Sequence, residues 1–526
     1  MRHLRTKVVA LLLLFTLHAA AAEKKDLQKR IDEILAQPDV ARGFWGIQVV
    51  SLDSSKTLYS FNAEKLFTPA SNTKLFTTAA ALALVGPHHK FLTTVETRGA
   101  VDKYGRLSGD LRLVGRGDPN LSGRTLPYSL KTERNLPPVH VLEMLADQVA
   151  NKGVKVIDGD IIGDDTYYAF QRYGEGWSQN DLVEQSGAPV SALTINDNVI
   201  FVSAMPADRP GEKAFVTVTP WADYYRIDNR IITTPAATGQ REIYYNREPG
   251  SDTLTLWGSI PADDPGVGEA LAIDDPADFA ARLFRAMLER RGIVVYGNTK
   301  AQHTELASLS TFSITAMAPA SGGGNPDVPQ RPVIPPPLVL ASYESQPLAQ
   351  DLRVINKVSQ NLHAELMLRM LGRERGTNGS VAAGLEVMRG WLIQAGIRPE
   401  EYAFFDGSGL SRQNLATPHA VVKLLSYAAQ QPWASIFEDT LPVGGVDGTL
   451  TQRFKSSDLL GRVRAKTGNL SHVNSLSGYA TTVKGERVVF SIMVNNHNVP
   501  TKRALDAIDE IVQLIVEGTS ASKTKK

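Results

Sequence analysis

Two serines, two lysines and their neighbours carry the chemistry that this chain offers. Ser71 stands three positions before Lys74 in "FTPASNTKLFTTAAALALVG", Phe67 to Gly86. On a helix that spacing puts both side chains on one face. A serine hydroxyl is a weak nucleophile until a base takes its proton. Lysine is an unexpected choice for the first turn of a helix, where the partial positive charge of the macrodipole repels a cation. Burial and the dipole together disfavour its charged form, and a neutral lysine is a base. The plain alternative is a packing helix from which Lys74 snorkels to solvent. Two more short patterns follow in order: Ser359-Gln360-Asn361, then Lys466-Thr467-Gly468.

Each pattern is weak alone. Ser-x-x-Lys recurs at Ser520 and Ser522, and Ser-x-Asn at Ser60 and Ser178, whereas Lys-Thr-Gly occurs once. Setting separates the candidates from the decoys. Pro69 and the apolar run to Gly86 and Pro87 predict a buried helix behind Ser71. Asn361 opens "NLHAELMLRML", a helical pattern with Leu362, Leu366, Met370 and Leu371 to pack it. Lys466 to Gly468 end a predicted strand, "GRVRAKTG". In those settings Ser71 can attack a carbonyl, with its own N–H helping to hold the oxyanion, and Lys74 can take its proton. Ser359 can relay a proton to a leaving amine, while Asn361 can bond a substrate amide and help fix Lys74. Lys466 supplies positive field for an anionic substrate terminus, and the Thr467 hydroxyl can bond a carboxylate. Gly468 leaves room for substrate along the strand edge, and the Asn469 N–H is the second oxyanion donor.

The elements that must position these groups lie at the two ends of the chain. A charged helical segment spans Asp26 to Gln37, and "FWGIQVVSL" and "TLYSF" flank Asp53 to Lys56 as a β-hairpin. The end of the chain reads as three strands, "GRVRAKTG", "NSLSGYATT" and "ERVVFSIMVNN", with turns at Asn469 to His472 and at Lys484-Gly485. An amphipathic helix from Thr501 to Glu517 follows, with Leu505, Ile508, Ile511, Val512 and Ile515 in one stripe. Its polar face carries Asp506, Asp509, Glu510 and Glu517, which favours packing on a sheet over lying on anionic lipid. Between these ends the texture is strand and turn, closed by a helix from Asp278 to Arg291. Pro319 to Pro337 is a Gly- and Pro-rich linker or loop, and helices resume from Leu348. We therefore expect an α+β fold in which an antiparallel five-stranded sheet with helices is interrupted by a large β-rich insertion.

Composition narrows the setting. The chain has 526 residues, 43% hydrophobic and 21% charged, as in globular proteins, and a net charge of +1 gives no reason to propose a nucleic-acid partner. Arg2, Arg5 and Lys7 precede the apolar run Val8 to Leu17, and Ala20-Ala21-Ala22 offers a cleavage site. That is a secretory signal peptide over residues 1–22, too short to span a membrane. The complete lack of cysteine excludes disulfides and thiolate metal sites, and favours a bacterial envelope over a eukaryotic secretory route. The histidines contain no HExxH spacing, so neither a metal nor a cofactor is expected. The final "SKTKK" reads as a disordered tail.

Ser-x-x-Lys, Ser-x-Asn and Lys-Thr-Gly together mark β-lactamases and penicillin-binding proteins. The chain resembles the low-molecular-mass class C penicillin-binding proteins, the D-alanyl-D-alanine carboxypeptidase/endopeptidases, over nearly all of its mature length. "DGSGLSRQNLATP" from Asp406, "LPVGGVDGTLTQRF" from Leu441 and "GRVRAKTGNLSHVNSLSGYATT" from Gly461 add to the resemblance. So does the long separation of Ser71 from Ser359, which is similar to the family's large insertion.

The resemblance implies a penicillin-binding-protein/β-lactamase-like transpeptidase domain over residues 23–93 and 341–526. It implies an inserted β-rich domain over 94–196 and 257–340, and a second one nested at 197–256. It implies peptidoglycan peptides as substrate, β-lactams as inhibitors, an acyl-enzyme on Ser71 and a periplasmic location. "IIGDDTYYAF" looks like the inserted segment whose aspartate reaches the cleft, which makes Asp165 a candidate for the amine of a cross-link residue; a surface turn is the plain alternative. Asn469 departs from the family's usual Ser or Thr, so a carboxylate contact is lost or shifts to Thr467. The Pro-rich stretch is longer than the family requires. A β-lactamase or esterase with the same acylation chemistry, and an envelope-binding protein without turnover, remain the competing readings.

Overall fold

The computed structural model describes residues 26–128, 135–237, 239–248, 250–309 and 336–518. The expected signal peptide, most of the Pro-rich stretch and the terminal "SKTKK" lie outside the described residues. By contacts the chain divides into two compact units. One holds the chain up to Pro87, Leu352–Gln360 and everything from Met388; the other holds His88–Asp351 and Asn361–Val387.

The first unit is built on one antiparallel sheet of five strands. Their order is Thr57–Phe61, Phe44–Ser51, Arg487–Asn495, Val473–Thr481, Val463–Leu470, so strands from the chain's beginning pair directly with strands from its end. Alternation explains the pairing: Trp45, Ile47 and Val49 share one face of their strand and are buried, with Phe490 and Ile492 beside them. Against that face lies the helix Thr501–Glu517, whose Ile508, Ile511, Val512 and Ile515 are buried as its stripe predicts. Leu27 and Ile31 of the helical segment 26–35 complete this core.

Across the sheet pack the helices Pro418–Ala428 and Thr73–Leu84. Every residue from Thr73 to Leu82 is buried, which accounts for a helix that carries no charge except Lys74. The sequence places the first helical residue at Pro69. Instead, Ala70–Asn72 form a 3-10 turn, the α-helix starts at Thr73, and Gly86 ends it at φ 94°. The strand with Lys-Thr-Gly also runs further than expected, through Asn469 to Leu470, and turns at His472.

The second unit contains a mixed five-stranded sheet, Thr299–Glu305, Ile161–Phe170, Leu111–Val114, Leu92–Thr97 and Leu338–Glu344, with smaller sheets around it. Two helices cover its core. Pro276–Glu289 is capped by Asp275, which accepts from the Ala277 and Asp278 amides. His140–Asn151 was not expected within a β-rich region. The helix Asn361–Arg375 is tied into this unit through His363, whose Nε2 lies 3.1 Å from Asp197. Asp197 in turn receives Arg124 at 3.0 and 2.8 Å, and all three side chains are buried. Removing one partner from such a buried cluster costs about 3–5 kcal/mol.

Candidate active site

Ser71 sits in the Ala70–Asn72 turn, and the strand Val473–Thr481 holds that turn in place. Ser475 Oγ donates to the Pro69 carbonyl at 2.8 Å, and Asn72 Nδ2 donates to Ser477 Oγ at 2.8 Å. Ala70, just before the serine, has φ 48°, a left-handed conformation that non-glycine residues seldom adopt. The neighbouring strand comes so close that a Cβ on Gly468 would meet Ser475 Oγ, lie 2.8 Å from the Pro69 carbonyl and 3.1 Å from the Ser71 nitrogen. Glycine at 468 is therefore a packing requirement, and it brings the Ser71 amide beside the strand edge.

Lys74 is fully buried rather than snorkelling. Its Nζ is 2.8 Å from Ser71 Oγ and 2.6 Å from the Ser408 carbonyl. That carbonyl belongs to a loop wrapped around Asp406, which accepts from the Gly409 and Ser411 amides at 2.8 and 2.6 Å. Gly409 closes the turn at φ 84°, with no room for a Cβ against the Ala70 carbonyl. Ser408 and Asp406 are neighbours of the candidate site that sequence reasoning did not single out. The stretch from Asp406 is conspicuous in sequence, and its Asp-x-Ser-Gly order signals a tight turn, but nothing in a sequence marks which carbonyl will face a lysine.

Ser359 follows the helix Leu348–Lys357 with φ 62°, a second left-handed non-glycine residue. Its Oγ accepts from Lys466 Nζ at 2.8 Å, and Lys466 also donates to the Thr467 carbonyl at 2.8 Å. Lys466 is fully buried; burial and the nearby charge of Lys74 hold its pKa well below the usual lysine range. Thr467 Oγ1 lies 2.8 Å from Thr449 Oγ1. Asn469 spends its side-chain oxygen on Asn474 Nδ2 at 2.9 Å. The first unit thus brings Ser71, Lys74, Ser359, Lys466, Thr467, Gly468 and Asn469 onto adjoining elements as two amine–hydroxyl pairs.

Asn361 and Asp165 belong to the second unit. Asn361 Nδ2 donates to the Ser186 carbonyl at 2.8 Å. Asp165 is not a surface turn: its carboxylate is buried on the strand Ile161–Phe170, accepts from Ser191 Oγ at 2.8 Å and lies 2.8 Å from His303 Nδ1. The other His303 nitrogen is 3.2 Å from Asp275. Burial alone would lower the His303 pKa, but hydrogen bonds to both carboxylates push it up to about 10. Among the described residues one cluster has metal-ligand types, Glu64, Glu401 and His419, and the Arg398 guanidinium already bonds both glutamates at 2.6 and 3.1 Å.

Known proteins share this sequence and fold. The model of the D-Ala-D-Ala carboxypeptidase 3 (S13) family matches residues 27–314 and 327–517. The chain is 34% identical over 502 residues to a D-alanyl-D-alanine carboxypeptidase from Actinomadura sp., covering 93% of this chain and 85% of that one. The crystal structure of penicillin-binding protein 4 from Haemophilus influenzae superposes with a TM-score of 0.74 at 24% identity, covering 92% of this chain and 98% of that one. The same protein complexed with a β-lactam gives 0.68 at 22% identity, with the same coverage. A match over both ends of the sheet and the insertion, together with the full set of serine and lysine motifs, leads to one assignment: the chain belongs to the D-Ala-D-Ala carboxypeptidase 3 (S13) family, as a low-molecular-mass class C penicillin-binding protein and a serine-type hydrolase.

Proposed function

We propose that this carboxypeptidase is exported to the periplasm by its N-terminal signal and cleaves D-Ala-D-Ala ends and D-alanyl cross-links of peptidoglycan through an ester on Ser71. The observation that carries the mechanism is the 2.8 Å approach of a fully buried Lys74 to Ser71 Oγ. Lys74 takes the Ser71 proton as Oγ bonds to the penultimate D-Ala carbonyl carbon, and the oxyanion rests on the Ser71 and Asn469 amides. Ser359 passes a proton to the leaving amine as the C–N bond breaks, and water then hydrolyses the ester. Lys466 and Thr467 receive the terminal carboxylate, and Asn361 bonds the substrate amide.

The two lysines divide one task. An arriving carboxylate favours the charged form of Lys466, and a charged Lys466 keeps its neighbour Lys74 neutral, as a base must be. Asp165 would serve the amine of a cross-link residue, which then competes with the His303 imidazolium already bound there. In this reading residues 197–256 form a nested domain within the insertion. β-Lactams, cyclic amides carrying the same carboxylate, enter as substrate mimics and stay as the ester.

Intact mass of the mature protein after incubation with penicillin tests the proposal. One lasting adduct is expected on the wild type and none on Ser71→Ala. Lys74→Ala should acylate at least about 100-fold more slowly while keeping its fold. Drug consumed without an adduct would point to a β-lactamase, and drug left untouched would point to a binder without turnover.

A further inference from the structure

A cavity of about 650 Å³ lies wholly within the second unit, lined by residues of 172–184, 243–257 and Asp274. None of these residues takes part in the acylation chemistry. One wall is the edge of the three-stranded sheet in which Glu242–Asn246 pairs with Thr253–Pro261. Tyr244 and Trp257 face each other across that register and stack, with ring centroids 5.7 Å apart and planes at 24°. Both are largely open to solvent, at 52% and 40%. A cross-strand aromatic pair steadies a sheet modestly, and this would explain the stack by itself. It does not explain the cavity's base.

There one carboxylate is held between two guanidiniums: Asp274 lies 2.9 Å from Arg172 and 3.1 Å from Arg247. Arg247 is almost entirely buried against the ring of Tyr225, and its Nε has no hydrogen-bond partner. Glu184 adds an acceptor fixed by the Tyr245 hydroxyl at 3.0 Å. The site thus pairs an exposed aromatic platform with planar, pre-positioned donors and acceptors and an unused donor on a lining residue.

We propose that this cavity binds sugar, an N-acetylated hexosamine stretch of a glycan strand. A pyranose has an apolar C–H face that suits a Tyr–Trp stack and a rim of hydroxyl and acetamido groups that suits fixed Arg, Asp and Glu side chains. The volume fits a ligand of about disaccharide size. Asp274 is neutralised by Arg172 and Arg247, and with Glu184 and Glu248 the lining keeps an excess of one negative charge, which disfavours a nucleotide phosphate on the same platform. That the sugar is the peptidoglycan backbone rests on the proposed function, whose stem peptides hang from such strands. The cavity would then hold the strand while its peptides are cut.

Calorimetric titration of the full mature protein with tetra-N-acetylchitotetraose, and separately with a free stem pentapeptide ending in D-Ala-D-Ala, tests this. Saturable oligosaccharide binding is expected, weakened at least tenfold in both Trp257→Ala and Tyr244→Ala. Thermal melts check that the variants fold, and Tyr244, whose side chain is mostly solvent-exposed, carries the test if Trp257→Ala does not. No saturable oligosaccharide binding, equal affinity in the variants, or variants that weaken only the pentapeptide would each overturn the sugar site. The penicillin adduct on wild-type Ser71 is read separately by mass, so loss of one reading leaves the other standing.

Discussion

Lys466 shows how a side chain of the candidate site can be costly to the fold. Its folded pKa is depressed, so between that value and the unfolded value near 10.4 the unfolded chain binds more protons and stability rises with pH. Lys466→Met removes the cost. It should raise the melting temperature at pH 7, by the equivalent of about 1 kcal/mol or more, with the gain shrinking as pH approaches 10, while acylation by penicillin falls sharply. Melting curves at pH 7 and pH 10 beside the acylation rate would check this; a lower melting point at pH 7 would mean that the bond to Ser359 outweighs desolvation. Residue identity and order pick out Ser71, Lys74, Ser359 and Lys466 as candidates, and the structure places them as two amine–hydroxyl pairs. The Ser408 carbonyl escaped because every residue has a carbonyl, and only the folded loop decides which one meets Lys74.

Elements position those groups through close backbone approach. Gly468→Ala would push the strand Val463–Leu470 away from the Ala70–Asn72 turn, since the added methyl meets Ser475 and the Pro69 carbonyl. We expect about 1–3 kcal/mol of destabilisation and at least a 100-fold slower acylation, measurable by urea unfolding and by time-resolved mass spectrometry. The hairpin at the start, the three strands at the end and the closing helix were legible because their alternation and 3.6-residue stripes are strong. Two features were not. The strand past Gly468 looked like a turn because Asn469 and Ser471 favour turns, yet pairing of Asn469 with Asn474 continues the ladder. The helix His140–Asn151 does carry a stripe of Val141, Leu142, Leu145 and Val149, all buried, but its surroundings of short strands masked it.

Across the whole molecule, Lys466 and Asp118 give stability opposite slopes against pH. In the second unit Asp118 is fully buried; it accepts from the Asn120 amide at 2.8 Å, while its other oxygen has no partner. Burial pushes its pKa up to about 7. The folded unit therefore holds a proton that the unfolded chain releases, a contribution fully present below about pH 4 and lost as pH rises through 7, worth up to about 4 kcal/mol. Asp118→Asn should be more stable than the wild type at pH 8 and no more stable at pH 4. Urea unfolding at both values decides it, and a difference independent of pH would rule out the buried proton. The interrupted architecture was legible as strands at both ends of the chain around a change of texture. The separation of Asn361 from Ser359 into different units was not, because it depends on His363 reaching a buried Arg124–Asp197 pair far away in sequence. The same architecture sets a folding order. Two strands near the chain's start cannot complete their sheet until Arg487–Asn495 has been made, a search of very high contact order. The insertion shortens it, since its ends meet where the Leu348 amide bonds the His89 carbonyl at 2.8 Å and Leu92–Thr97 pairs with Leu338–Glu344. Once it has folded, the roughly 436 residues between Ser51 and Arg487 behave as a loop of about 180, which lowers the closure cost by about 0.8 kcal/mol. The inserted unit is thus a folding clamp for the first one, shortening the time for which unpaired strand edges are open to aggregation.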